Sequence, residues 1–212
     1  MMRVRLRGKH GDEAAFYAER YPSGYDHTRW PDHVERVDET VRWAREILAS
    51  SRIDSVADLS CGDGDLPVRA YDALGATGRL VLGDLNLEGV DRMIRRHNTE
   101  GLDVVFYQGS VSAAFNIPTP PVDLYVCSET LEHLDDPDGF LTALRPLTRH
   151  LLVTTPEGET GTGNPEHYWG WDSEAVGAML AAAGFLDVVG HQVFTPLYDL
   201  HGAYRYQMWM VK

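Results

Sequence analysis

From residue 31 onward, apolar positions fall into two alternating patterns. After Pro31, which suits a first helical turn, Val34, Val37, Val41, Ala44 and Leu48 recur at spacings of three and four, predicting a helix with one buried face. The period breaks at Ser50 and Ser51. Short apolar runs at 55–59, 79–84, 104–107, 122–127 and 150–155 then read as strands, with helical stretches at 65–73, 87–97 and 137–147 between them. Near-continuous apolar strands separated by helices imply βαβ units and a parallel sheet covered on both faces. The tail differs. A helix over 173–183, with Asp172 as N-cap and Gly184 past its end, precedes strand-like pieces at 186–195 and 203–211 with only a loop between them, so the sheet ends with one reversed strand. The predicted fold is α/β: a Rossmann-like open sheet, mostly parallel with an antiparallel last strand and helices on both faces. Residues 1–50 form an N-terminal helical extension, in which 11–30 mixes Tyr17, Tyr21, Tyr25, His27 and Trp30 with turn formers and reads as a substrate cover, and 51–212 form the main domain. Spacing four suits plain helix packing for Tyr17, whereas Tyr21 and Tyr25 are open between packing and a pocket wall.

Composition changes this picture little, but it narrows the partners. The 212 residues carry a formal charge of −13, which repels duplex DNA and anionic membranes, so a small-molecule acceptor is favoured over nucleic acid. No apolar run reaches the roughly 18 residues of a membrane span, and the basic stretch 1–10 is not followed by an apolar core. With only Cys61 and Cys127, both at the ends of predicted buried strands, the expectation is a cytoplasmic protein with reduced thiols.

The densest local signal is Val56 to Asp65, a strand running into a glycine turn that opens a helix. Gly62 and Gly64 let backbone approach a ligand, and the helix N-terminus offers unpaired N–H groups. A dinucleotide fingerprint needs a third glycine where Pro67 stands, which disfavours a nicotinamide-dependent dehydrogenase. Asp58 before the turn repels a pyrophosphate and suits an ammonium. Twenty residues past Gly64, Asp84 ends a strand where a carboxylate can accept both hydroxyls of an unmodified ribose. Gln108-Gly109-Ser110 and Ser128-Glu129 end two further strands, so four strand ends converge on one crevice.

With these residues the chain, over about 31–212, resembles the class I S-adenosylmethionine-dependent methyltransferases. Asp58 to Asp65 looks like the family's first motif, Asp84 like its ribose-binding acid and Val122 to Leu134 like its fourth motif. The resemblance implies a seven-stranded sheet with the antiparallel strand inserted next to the edge, and S-adenosylmethionine as cofactor. By it, Gly62 and Gly64 border the methionine part, Asp58 and Ser60 help hold its amino and carboxyl groups, Leu85 packs on adenine, and Ser110 lies near the adenine amino group. Ser128 and Glu129 complete the cofactor set.

Methyl transfer is an in-line displacement, so the protein positions a nucleophile, excludes water, and supplies a base where the nucleophile holds a proton. Ser128 to Leu134 is the densest ionisable group near the crevice, and His133 is one candidate base, open to the alternative of a turn cap. A second group, Asn164 to Trp171, follows a loop with glycines at 158, 161 and 163 and reads as a lid that brings His167 toward His133, or else as a surface loop. His10, His97, His150, His191 and His201 read as ordinary surface or strand-end residues. Glu129-x-x-Glu132-His133 with His167 is also similar to the metal-dependent small-RNA 3′-terminal 2′-O-methyltransferases, in which such a set ligates a divalent cation. The same Glu-x-Leu-Glu-His-Leu pattern resembles metal-free small-molecule methyltransferases of the ubiquinone-pathway type, and the charge of −13 speaks against RNA. The leading expectation is therefore metal-free transfer to an oxygen or nitrogen of a small molecule, with oxygen ahead. A metal-dependent enzyme acting on RNA ends and a non-catalytic cofactor-binding protein are the alternatives.

Overall fold

The computed structural model describes residues 1–86, 96, 102–111, 121–161, 164–197 and 205–212. The expected helix 87–97 (Arg96 apart), Gly163, His97 and His201 lie outside these. The described strands are β1 (Arg3–Arg5), β2 (Val56–Asp58), β3 (Arg79–Asp84), β4 (Asp103–Gln108), β5 (Val122–Ser128), β6 (Thr148–Pro156), β7 (Trp169–Trp171), β8 (Val188–Phe194) and β9 (Tyr206–Val211). The described helices are α1 (Glu13–Arg20), α2 (Pro31–Ile47), α3 (Asp65–Ala73), α4 (Pro137–Leu144) and α5 (Ser173–Ala182).

Seven strands form one sheet in the order β4-β3-β2-β5-β6-β9-β8. Pairing is parallel from β4 to β6, while β9 runs antiparallel to both β6 and β8. The inserted last strand is thus the one the sequence implied. Alternation along each strand divides the core into two layers. Leu124 and Val126 of β5 join Val37, Trp43 and Ala44 of α2, and Leu48 just past its end, on one face. Tyr125 and Cys127 join Phe140, Leu141 and Leu144 of α4 and Val176 and Leu180 of α5 on the other. Helix ends follow their caps: Asp172 accepts from Ala175 N at 2.9 Å and Asp136 from Gly139 N at 2.9 Å. Both cysteines are free thiols. No helix among the described residues is long and apolar enough to cross a membrane.

Two features depart from the periodic pattern. The basic stretch at the start is no loose tail: β1 pairs antiparallel with β7, and Arg3 and Arg5 lay their guanidinium groups 4.6 and 4.7 Å from the Trp169 ring. The segment expected as a lid or a surface loop therefore contains a strand. Secondly, α1 buries no residue and stands over the C-terminal ends of the parallel strands, capped by Asp12 accepting from Ala15 N at 3.0 Å. The chain reverses its crossover direction at β2, whose neighbours are β3 and β5, and at such a switch point the strand ends leave a crevice.

Candidate active site

That crevice is a cavity of about 380 Å³, a size suited to a small-molecule ligand. Its floor is the turn after β2. Gly62 and Gly64 both adopt left-handed φ, 57° and 73°, which lets the chain bend into the N-terminus of α3. A side chain at Gly62 would also strike the Tyr25 ring, whose Cδ1 lies 2.7 Å from where a Cβ would stand. The cover thus rests directly on the glycine turn, and Tyr25 is a wall of the cavity, as Tyr21 is. A second tie is His27, 3% exposed, whose backbone N and Nδ1 reach Asp63 at 2.9 and 2.6 Å. Burial alone would raise the Asp63 carboxyl, but these hydrogen bonds hold it below its ordinary value.

Asp58 and Asp84 stand at the ends of adjacent strands and both line the cavity. Asp58 is 2% exposed and accepts from Ser60 N at 2.9 Å. Burial, with the charge of Asp84 adding to it, pushes the Asp58 carboxyl up to about 8. Asp84 Oδ2 accepts from Gly62 N and Oδ1 from Asn86 N, both at 2.8 Å. The Leu85 N–H also acts on this carboxylate, and the acceptor capacity that remains is what hydroxyl groups in the cavity would use. Leu85, Ser110, Ser128 and Glu129 line the same cavity, as do Ser60 and Gly62; Gly64 shapes the turn from behind.

An ammonium placed beside Asp58 favours its ionised form, so S-adenosylhomocysteine binding at pH 7 is expected to release close to one proton. Calorimetry in two buffers of different ionisation heat measures this, and Asp58→Asn should abolish it. Proton-neutral binding by the unaltered chain would show that the ammonium sits elsewhere.

Past β5 the backbone carries Glu129 at φ 50°, the only non-glycine residue among those described with positive φ. Its carboxylate ends a directed chain of hydrogen bonds: Arg36 Nη1 donates to Ser128 Oγ (2.7 Å), Ser128 to Thr154 Oγ1 (2.8 Å), and Thr154 to Glu129 Oε1 (2.9 Å). One short helical turn on, over Leu131–His133, lie Glu132 and His133. Glu132 is fully buried; Oε2 accepts from Thr155 Oγ1 at 2.9 Å, while Oε1 has no partner among the described residues. Burial and then the nearby Glu129 push its carboxyl up to about 8.

The structure brings His133 and His167 together, with ring centroids 4.8 Å apart and planes at 80°. His133 Nδ1 faces the Glu166 carbonyl at 3.0 Å, which can only accept, so the proton is assigned to Nδ1 and Nε2 faces Glu132 at 3.8 Å. Burial, with His167 beside it, depresses the His133 imidazolium to about 3. His167 differs. Its Nδ1 donates to Glu159 Oε2 at 2.5 Å, and although burial opposes the charged form, the Glu159 hydrogen bond and the charge of Glu132 outweigh it and raise its proton affinity. Of the two bases predicted, His167 is thus the stronger, and its partner Glu159 is a residue the sequence reading missed. Tyr17 was expected only to pack its helix; its hydroxyl instead lies 3.1 Å from His133 Nδ1. Glu166, which receives Arg20 and the Tyr21 hydroxyl (2.8 Å), ties cover to lid.

Residues 56–151 match a family model described as a methyltransferase domain. The chain is 33% identical over 118 residues to a ubiquinone/menaquinone biosynthesis C-methyltransferase, UbiE, of Xanthomonas axonopodis pv. citri, covering 52% of this chain and 44% of that one. Residues 56–151 thus carry a methyltransferase domain, on the fold of the S-adenosylmethionine-dependent methyltransferases. The methyltransferase fold is shared with magnesium protoporphyrin IX methyltransferase, ChlM, from Synechocystis PCC 6803 with S-adenosylhomocysteine bound (TM-score 0.67, 16% identity, 94% of this chain and 95% of that one). It is shared also with the small RNA methyltransferase HEN1 (TM-score 0.62, 19% identity, 84% and 25%) and the [4+2]-cyclase SpnF (TM-score 0.63, 15% identity, 81% and 80%). At these identities structural likeness carries the fold alone. The chain spans less than half the length of the curated relative, so that relative's reaction is not this chain's by likeness.

Proposed function

We propose that the chain transfers a methyl group from S-adenosylmethionine to an oxygen or nitrogen of a small-molecule acceptor, oxygen first, with His167 as proton acceptor. The observation that carries this is His167 at the cavity wall, hydrogen-bonded to Glu159 and beside His133. When bound, the cofactor supplies a methyl carbon made electrophilic by its sulfonium. The residues present fit it: Asp84 would accept from the ribose hydroxyls, Asp58 and Ser60 would meet the amino-acid end, and Leu85 and Ser110 would border the adenine. His167 keeps Nδ1–H on Glu159, so its Nε2 lone pair, now facing the Asn164 amide at 3.0 Å, is the one offered to an acceptor proton. His133, held by the Glu166 carbonyl, orients the acceptor rather than deprotonating it. A carbon acceptor, which the relative's name as a C-methyltransferase states for that protein, would call on the same base where the acceptor must lose a proton. In this reading residues 1–50 act as the cover and 51–212 as the cofactor-binding domain, working in the cytoplasm.

One observation favours a second reading. Ligand atoms of Glu132, His133 and His167 lie within 4.8 Å of one another, and Glu132 Oε1 is a buried carboxylate oxygen without a hydrogen-bond partner among the described residues. Two imidazoles and one carboxylate fit a divalent cation that would bind and acidify a hydroxyl, as on a ribose at an RNA end. Calorimetric titration of Mn²⁺ into chelator-treated protein saturated with S-adenosylhomocysteine separates the two. The metal-free reading expects no uptake by the unaltered chain. One-to-one micromolar uptake, lost in His167→Ala and in Glu132→Gln, would replace it with the second.

A further inference from the structure

The cavity is more acidic than the cofactor calls for. Seven carboxylic acids and two guanidinium groups are among its lining residues, and Asp58 and Asp84 are only two of the seven. Asp32, on the first turn of α2, is one of the other five and has no task in the proposed reaction. It is 6% exposed. Oδ2 accepts from the Tyr206 hydroxyl at 3.4 Å, a long hydrogen bond, and Oδ1 has no hydrogen-bond partner among the described residues. Its one ionic contact among them is His33 Nε2 at 3.8 Å, for Arg36, one turn further along α2, donates to Ser128 and lies 3.9 Å from Glu129 instead. A buried carboxylate left this open is costly unless a cation or a donor completes it.

Position in the sheet says which part of the cavity this is. Asp84 and Asp58, suited to the cofactor, end β3 and β2 on one side of β5, whereas Tyr206 begins β9, two strands beyond β5 on the other side. Asp32, in contact with Tyr206, therefore borders the half left for an acceptor. The wall there is aromatic. Trp30 and His33, two residues before Asp32 and one after it, hold their rings 5.1 Å apart, and both line the cavity together with Tyr206. A carboxylate among aromatic rings suits an organic ammonium, whose charge meets the carboxylate while its carbon skeleton packs on the rings. An anionic acceptor would be repelled by the lining acids. A neutral hydroxyl would supply one hydrogen bond and leave the negative charge buried without a counter-charge.

We propose that Asp32 binds a positively charged amino group of the methyl acceptor, so that the acceptors are hydroxyl compounds carrying an ammonium. This deepens the methyl-transfer reading given above and rests on it. The ammonium is a handle and not the nucleophile. Beside a carboxylate the nitrogen keeps its proton, and a protonated nitrogen has no lone pair with which to attack a methyl carbon. The methyl group then goes to the oxygen, as in the reaction proposed above.

The test adds two probes, by calorimetry, to protein saturated with S-adenosylhomocysteine: tyramine, a phenol carrying a primary ammonium, and 4-ethylphenol, the same molecule with hydrogen in place of the amino group. The unaltered protein is expected to bind tyramine at least about tenfold more tightly, as charge-assisted hydrogen bonds to a carboxylate allow. Asp32→Asn, close in shape, should remove that preference while S-adenosylhomocysteine still binds as before, which also shows that the variant is folded. Asp32→Glu, which restores the charge on a longer arm, should keep part of the preference. Equal affinity of the unaltered protein for the two probes, binding of neither, or an Asp32→Asn variant that keeps the preference overturns the proposal while the methyl-transfer reading stands. A loss of S-adenosylhomocysteine binding in Asp32→Asn alone also overturns it, by giving the residue to the cofactor. Failure of S-adenosylhomocysteine to bind the unaltered protein overturns both.

Discussion

Asp84→Ala is expected to lower affinity for S-adenosylhomocysteine by two orders of magnitude or more. The carboxylate already takes the backbone N–H of Gly62 and of Asn86, one on each oxygen, and this fixes its plane. The carboxylate lines the cavity, where the two ribose hydroxyls would each form a charge-assisted hydrogen bond contributing about 1.5–3 kcal/mol. Loss of both corresponds to about 3–6 kcal/mol, or roughly 10²–10⁴ in the dissociation constant. The effect belongs to the hydroxyls, so the 2′,3′-dideoxy analogue should bind the variant and the unaltered chain alike. Calorimetry with both nucleosides decides it, and an unchanged affinity for S-adenosylhomocysteine would remove Asp84 from the site.

Glu132→Gln is expected to stabilise the ligand-free protein, by an amount that grows with pH. Burial and the nearby Glu129 raise the folded-state carboxyl to about 8, against an ordinary value of 4.5. A raised folded value means the folded chain holds the proton more tightly than the unfolded chain. Stability from this group is therefore fully present below about pH 4.5 and is lost as pH climbs toward 8. The amide does not titrate, so the variant overtakes the unaltered protein across that window. At pH 8 the gain is on the order of 2–4 kcal/mol, allowing for structural relaxation around the charge. Denaturant unfolding at pH 5 and pH 8 reads it directly. A variant less stable at both values would mean that Glu132 is a structural anchor. Should a divalent cation bind, Mn²⁺ would reverse the order, stabilising the unaltered chain and not the variant.

The residues that made the site legible in the sequence have chemistry fixed by a strand end. Gly62, Gly64, Asp58 and Asp84 follow apolar runs at short range, so the backbone path alone determines where they lie. What the sequence hid depends on contacts between distant segments. Arg-Val-Arg and Trp-Gly-Trp are too short to show a period, and their pairing exists only because the chain brings residues 3–5 and 169–171 together. Glu159 sits in a glycine-containing loop and becomes informative only beside His167. Arg36 lies one position off the stripe of Val34, Val37, Val41, Ala44 and Leu48 and is not singled out by it. A second stripe was nevertheless visible: Arg36, Thr40 and Trp43 recur at helical spacing and all three are buried, because α2 faces the sheet on one side and the cavity on the other. An arginine in register with a tryptophan on a helix is the signal that would have found it.

The position of β9 has a consequence for synthesis. β8 emerges from the ribosome first, yet its partner in the finished sheet is β9, and β9 is also what closes the open side of β6. Until residues 206–211 are made, the nascent chain carries two unsatisfied strand edges, and the cavity lacks the Tyr206 wall. Unpaired edges are where chains join to one another, so the interval between translation of Phe194 and Val211 is the one most exposed to aggregation. The cavity and the sheet are completed by the same six residues, in the same moment.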